Sequence, residues 1–96
     1  MDHESRIIAL AGQFPSLKQA PGLSPWDPKE LDAWAATPAT PDTQARWAAR
    51  FLLNLWNPTE GWQAGWFDVY QAFADWDEAH RRAFLSWAHA PFHPWP

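Results

Sequence analysis

The stretch from 41 to 56, PDTQARWAARFLLNLW, constrains the fold more than any other part of the chain. On a helical wheel, its apolar side chains cover roughly 240° of the circumference. The remaining polar stripe consists of Arg46, Arg50 and Asn54, spaced four residues apart. A helix that is apolar around so much of its circumference must be covered by other segments on several sides. We therefore expect this helix at the centre of the fold.

Proline residues and capping motifs divide the rest of the chain into further helices. Asp27-Pro28-Lys29-Glu30 combines a capping box with a proline in the first helical turn, and Thr40-Pro41 repeats the cap and the proline. Pro15 stops an earlier apolar run, Asp68 can cap the helix that follows it, and Asp75 or Asp77 can cap the last helix. The predicted helices span about 4–14, 28–36, 41–56, 69–74 and 76–88.

The residue types favour helices and give little support for a sheet. Ile and Val together number three in the 96 residues, and no run alternates apolar and polar positions over a strand's length. There is no Cys, so disulfides cannot stabilise this small chain. The sequence predicts an all-α, single small domain of four to five short helices around the central one, with a Trp-rich core and an extended, proline-rich C-terminal tail.

Nine Trp are unusual in a chain of this length, and their positions divide them into two groups. The first group occupies inward positions of the predicted helices and is expected to pack in the core: Trp34, Trp47, Trp56, Trp76 and Trp87. The second group lies in loops or in the tail, where any binding site would have to use some of its members: Trp26, Trp62, Trp66 and Trp95. Each indole that is buried removes roughly 150–250 Å² from water.

In the last predicted helix, helical spacing turns one set of side chains inward: Trp76, Ala79, Ala83, Phe84, Trp87 and Ala88. On the opposite face, Asp77–Arg81 and Glu78–Arg82 are predicted ion pairs four residues apart, with the acid first.

The charge pattern limits the class of partner. The net charge is −4, and no segment carries the basic stripe that binding to phosphates requires, so we expect no nucleic-acid partner. The N-terminus lacks the basic region of a signal peptide, and no apolar run is long enough to span a membrane. We expect a soluble cytoplasmic protein without a membrane partner. Five Arg against two Lys, with abundant Ala, Pro and Trp, suggests a GC-rich, bacterial coding genome.

Neither a metal site nor a catalytic site is expected. His89 and His93 stand four residues apart, but Pro91 removes the helix that would place them on one face. His80 has Asp77 nearby but no further ligand of the right type, so it is interpreted as a solvated or capping histidine. The serines, Ser16 among them, have no nucleophile-elbow context and no partner at a suggestive spacing. The sequence therefore predicts no cofactor and no enzyme.

The segment Glu60-Gly61-Trp62-Gln63-Ala64-Gly65-Trp66 supplies the main functional hypothesis. Two Trp in a loop can form an exposed platform for a ligand or a partner side chain. We expect a non-catalytic interaction or regulatory protein that presents this loop or the tail, with Trp95, to another protein or to a second copy in a homodimer. The alternative is a small-molecule binder or minor enzyme whose pocket for an anionic or sugar-like ligand is lined by Arg46, Arg50, Asn54 and the loop Trp.

Each candidate also has a purely structural interpretation. Trp62 and Trp66 can fold back over the central helix, because Trp is usually largely buried. Arg50 and Asn54 can donate hydrogen bonds to the carbonyls of loops that cross them. In the tail, self-packing of Phe92 and Trp95 against the helices is favoured over docking into another protein.

Overall fold

The computed structural model describes residues 3–37 and 42–92, and within these ranges the chain is helical, without a strand. A single isolated bridge joins Leu23 and Trp26. The elements are α1 (His3–Ala11), a 3₁₀ turn (Pro15–Leu17), α2 (Pro28–Ala36), α3 (Thr43–Trp56), α4 (Val69–Asp75) and α5 (Glu78–His89). The all-α prediction is confirmed.

Side-chain caps set the starts of four of these helices. Asp27 accepts from the backbone N–H of Glu30 before α2, whose bounds agree with the prediction. Asp42 caps α3 by accepting from Ala45 at 2.7 Å, so α3 begins at Thr43. The predicted cap of α3, Thr40, lies outside the described residues. Asp68 and Asp77 cap α4 and α5 in the same way, and these are caps that the sequence predicts.

The predicted first helix is too long at its C-terminal end. α1 ends at Ala11, after which the N–H groups of Gln13 and Phe14 donate to carbonyls three residues back. Phe14 is extended, at φ −95° and ψ 108°, because the ring of Pro15 disfavours helical backbone in the residue before it. Apolar spacing continues through Phe14, whose ring is buried, but the helix does not.

The inward face of α5 differs from the prediction. Ala79 and Ala88 are exposed, whereas His80 is buried, together with Ala83. α5 begins at Glu78, so Trp76 lies before the helix. Counting helical positions from Trp76 therefore does not give the residues on its inward face. The predicted pair of Glu78 with Arg82 forms at 2.8 Å, but Asp77 binds His80 instead of Arg81.

α3 lies at the centre, with α1, the 3₁₀ turn, α2 and α4 packed against it. Leu52 and Leu53 are fully buried, and the ring of Phe51 packs against four other aromatic rings, those of Phe14, Phe67, Phe84 and Trp87, at centroid distances of 5.1–5.9 Å. Aromatic side chains from the flanking segments therefore enclose the central helix, as its apolar circumference predicts.

One indole that the sequence assigns to a loop belongs to the core. Trp26 is buried, and its ring meets that of Trp56 edge-on at 5.3 Å. At the C-terminal end, Phe92 packs against the core, and its carbonyl accepts from the indole N–H of Trp87 at 3.2 Å. Trp95 lies outside the described residues, so the prediction of its packing stays a prediction.

Candidate functional site: an anchored loop beside an exposed aromatic face

The first half of the loop between α3 and α4 is held against the domain. Trp62 is half-buried, packs against the core, and donates its indole N–H to the carbonyl of Asn57 at 3.0 Å. Gly61, before it, has a φ of +71°, in the left-handed region that favours glycine. Trp62 thus follows the structural interpretation and folds back onto the domain.

Asp32, a residue that the sequence reasoning missed, anchors the loop from α2. Its side chain is buried, and its carboxylate accepts from the backbone N–H groups of Gln63 at 3.1 Å and Ala64 at 2.7 Å. A buried carboxylate needs such partners, because leaving it without them is costly. The sequence does contain one indication of this role. Asp32 follows inward-facing Leu31 and stands three residues before Ala35, so an acid lies on the apolar face of the helix.

Arg50 and Asn54, predicted as ligand donors, bind the same loop from α3. The Nε–H of Arg50 donates to the carbonyl of Ala64 at 2.5 Å, and its guanidinium lies 4.7 Å from the centre of a Trp47 ring. Asn54 donates to the carbonyls of Arg50 and Gly65, at 2.8 and 3.1 Å. Burial, followed by the charge of Arg46, lowers the pKa of Arg50.

The third member of the predicted polar stripe lies at the other end of α3. Arg46 donates from Nη2 to the carbonyl of Thr37, the C-cap of α2, at 3.2 Å. Arg46 therefore joins α3 to the end of α2, whereas Arg50 and Asn54 join α3 to the loop. Asn54 and Trp66 together line a shallow groove of about 290 Å³ in which Arg46 and Arg50 take no part.

The second half of the loop and the helices after it expose large apolar side chains. Trp66 is 70% exposed and Tyr70 is 84% exposed. Val69 and Leu85 are 47% and 51% exposed. These are the large hydrophobic side chains that stand exposed in the described ranges, and they fall within 20 residues of one another along the chain. We call Trp66, Val69, Tyr70 and Leu85 the aromatic face.

A groove of about 660 Å³ lies between α4 and α5, and three members of this face, Val69, Tyr70 and Leu85, line it. The other described lining residues are Phe73, Ala74, Arg81 and Phe84. Among the described lining residues Arg81 alone is charged, and its guanidinium donates from Nε and Nη2 to the carbonyl of Phe73 at 3.0 and 2.6 Å. Trp66 lines the separate, smaller groove, and the ring of Trp87 in that groove lies 5.8 Å from the ring of Phe84.

A second polar constellation lies on the 3₁₀ turn and the start of α5. The buried His80 places Nε2 2.6 Å from the hydroxyl of Ser16 and Nδ1 2.7 Å from Oδ1 of Asp77. Hydrogen bonds from the side chain and then the backbone of His80 lower the pKa of Asp77. The interpretation of His80 as a solvated residue is wrong, because Phe14 and Trp76 cover its ring. Sequence spacing could not reveal Ser16, which lies 64 residues away.

Among the described residues, no three His, Asp or Glu side chains are grouped so that they could hold a metal ion. His93, the second histidine of the pair His89 and His93, lies outside the described residues. None of the described helices combines the length and apolar character needed to cross a membrane.

Comparison of the chain with protein-family models, with curated proteins and with solved structures finds no match. Its function therefore has to be inferred from its own side chains.

Proposed function

We propose that the protein is an interaction module whose recognition surface is the aromatic face. The observation that carries this proposal is an apolar groove lined by three exposed side chains, Val69, Tyr70 and Leu85, of which Tyr70 is 84% exposed; Trp66, 70% exposed, lies four residues before Tyr70. Contiguous exposed apolar surface of this kind is typical of binding sites for other proteins. Tyr and Trp are also the residues that contribute most to such interfaces.

The shape of the groove favours a helix as the bound element. Two helices, α4 and α5, form its walls, and aromatic and aliphatic side chains form its floor. An amphipathic helix can lay its apolar face into such a groove, with anchors spaced three, four and seven residues apart. Tyr70 would then pack against these anchors, because it lines the groove and is 84% exposed.

Charge selects among the possible partners. Between 58 and 92 the chain carries five carboxylates, at Glu60, Asp68, Asp75, Asp77 and Glu78, against the two guanidinium groups of Arg81 and Arg82. A second copy of the chain or an anionic membrane would bring further negative charge to this net-negative segment. Complementarity favours a partner helix flanked by Lys or Arg. We therefore infer that the partner is a protein with a basic, amphipathic helical segment.

The polar residues support this proposal over the alternative of an anionic or sugar-like ligand. Arg50 and Asn54 donate to the carbonyls of Ala64 and Gly65, which occupies donors that such a ligand would need. Arg46 binds at the opposite end of α3, next to Thr37.

A display library of short peptides, selected on the immobilised full chain, tests the proposal. We expect enriched peptides to combine apolar residues at helical spacing with flanking Lys or Arg, and to weaken at high salt. The double substitution Trp66→Ala and Tyr70→Ala should reduce their affinity by about tenfold or more, the loss of a hot-spot side chain. The control Lys29→Ala, an exposed change on α2 outside the aromatic face, should leave it unchanged.

Three results would contradict the proposal. The first is enrichment of peptides without basic flanks, and the second is binding that the double variant leaves intact. The third is a dimer of the free chain, seen by sedimentation, that the double variant dissociates; this result would assign the aromatic face to a second copy.

A further inference from the structure

The Ser16–His80–Asp77 constellation has the connectivity of a nucleophile, a base and an orienting carboxylate. The distances along it are 2.6 Å from the Ser16 hydroxyl to Nε2 of His80 and 2.7 Å from Nδ1 to Asp77. The 3₁₀ turn positions Ser16, whereas the N-terminus of α5 positions both other residues. Such constellations are recognised by geometry and by the role of each group, whatever the order along the chain.

The surrounding donors determine which nitrogen of His80 carries the proton. The carboxylate of Asp77 can only accept, so Nδ1 faces it as N–H. The backbone N–H of Ser16 points at Nε2 from 3.3 Å, so Nε2 is the unprotonated acceptor. The hydroxyl of Ser16 therefore donates to Nε2. This is the hydrogen-bond direction in which a histidine can remove a serine proton.

The environment suits a proton transfer between these two groups. His80 is buried and packs against the rings of Phe14 and Trp76, whose centroids are 6.0 and 6.2 Å away, in surroundings where electrostatic interactions are stronger than in water. Among the ring and hydrogen-bond contacts described for the imidazole, only Asp77 carries charge, and it would stabilise an imidazolium. Ser16 is half-buried, whereas its partner His80 is buried.

We propose that Ser16 is a nucleophile, activated by His80, that takes an acyl group from small activated esters. The Ser16 oxygen bonds to the ester carbonyl carbon as its proton passes to Nε2 of His80. The bond from that carbon to the leaving oxygen then breaks, and the leaving alcohol or phenol recovers the proton from Nε2. Water releases the acid from acyl-Ser16 by the same two proton transfers, which restores the hydroxyl. This activity departs from the non-catalytic role expected from the sequence.

The backbone around Ser16 limits the class of ester. The N–H groups of Leu17 and Lys18 donate to the carbonyls of Phe14 and Pro15, so neither is directed at a developing oxyanion. Without that stabilisation, the substrate must carry a good leaving group such as a phenolate. A cavity of about 460 Å³, lined in part by Pro15, Leu17 and Lys18, opens beside the turn and is mostly apolar. Its lining residues flank Ser16 along the chain but do not include Ser16.

The experiment compares serines within one molecule. The folded full chain is treated with a fluorophosphonate and, separately, with p-nitrophenyl acetate, and modified peptides are quantified by mass spectrometry. Ser24 and Ser86 are the matched controls, because both are more exposed than Ser16 but have no described histidine contact. We expect Ser16 to react about a hundredfold faster, the contribution typical of a positioned base. In concentrated urea this preference should disappear.

Equal modification of the three serines in the folded chain would overturn the proposal. His80→Gln should reduce Ser16 to the rate of Ser86, and an unchanged rate in a folded His80→Gln variant would also overturn it. If this variant does not fold, the wild-type comparison with and without urea still decides the question.

Asp77 is a positioning residue, because it acts on Ser16 through His80. Its role is tested by a measurement that a purely structural role would not change, namely which ring nitrogen of His80 carries the proton. Asp77→Asn keeps a good helix cap. It removes the negative charge and replaces a carboxylate, which can only accept hydrogen bonds, with an amide that can also donate. In ¹⁵N spectra we expect the wild-type ring to be protonated at Nδ1, and the variant to shift toward protonation at Nε2 with slower labelling of Ser16. A wild-type ring protonated at Nε2 would contradict the proposal. Because no residue of the aromatic face takes part, this proposal and the proposed function can fail independently.

Discussion

Two identical dipeptides, Gly61–Trp62 and Gly65–Trp66, lie four residues apart in one loop and have opposite environments. Both glycines have positive φ, +71° and +104°. The first indole is half-buried and hydrogen-bonded to Asn57, whereas the second is 70% exposed. Local sequence is therefore not what separates them.

Anchors that lie far away along the chain hold the part of the loop between the two indoles. Asp32 on α2 binds the N–H groups of Gln63 and Ala64, and Arg50 binds the carbonyl of Ala64. These contacts hold the backbone immediately after Trp62 against the domain, and the indole is covered. Asn54 anchors the carbonyl of Gly65, directly before Trp66, and that indole is nevertheless exposed. Backbone anchors therefore hold the loop, whereas the burial of each indole depends on the contacts of its own ring.

The largest expected effect follows removal of the anchor on α2. Asp32→Ala leaves the buried N–H groups of Gln63 and Ala64 without their acceptor, so we expect the free energy of unfolding to fall by about 3 kcal/mol. Urea denaturation measures it. The matched control is Asp27→Ala in the same helix, an exposed cap whose loss should cost about 1 kcal/mol. If the two variants are equally stable, Asp32 does not anchor the loop.

A smaller loss is expected at the covered indole. Trp62→Ala removes a half-buried ring and the hydrogen bond to Asn57, and we expect the free energy of unfolding to fall by about 2 kcal/mol, less than for a fully buried Trp. Trp62→Phe keeps most of the ring contact but not the donor, so it separates the two contributions. A Trp62→Ala variant as stable as the parent chain would show that the indole is not held as described.

The smallest effect on stability is expected at the exposed indole. Trp66→Ala should change the free energy of unfolding by less than about 0.5 kcal/mol, because few contacts are lost. The difference between the fluorescence spectra of the parent chain and the variant gives the contribution of Trp66. We expect this contribution to be that of a water-exposed indole. A Trp66→Ala loss as large as that of Trp62→Ala would remove the contrast between the two dipeptides, and with it the main support for the aromatic face.

Local signals predicted the helices well where caps and periodicity agreed. Asp27 with Pro28 marks the start of α2, and the apolar circumference of α3 indicates its central position. The prediction was wrong where a local rule competed with a longer pattern. Apolar spacing runs through Phe14, but Pro15 forces the residue before it out of the helix. In α5, the cap at Asp77 sets a phase that turns His80 inward.

The candidate sites were less accessible from the sequence. Trp66 is a candidate from the sequence, but its exposure depends on tertiary packing. Tyr70, Val69 and Leu85 were not named, because an exposed apolar residue on a short helix has the same pattern as a buried one. Asp32 and Ser16 each act through partners more than 30 residues away. No spacing rule connects residues at such separations.

The sequence by itself determined the class of fold, the position of the central helix and the caps that start most helices. These features depend on interactions within a few residues, or on how apolar a whole segment is, and both can be seen along the chain. The tertiary structure alone decided which indoles are covered, where the apolar groove lies and that Ser16 meets His80. These outcomes depend on contacts between distant segments, which exist only once the backbone has been brought together.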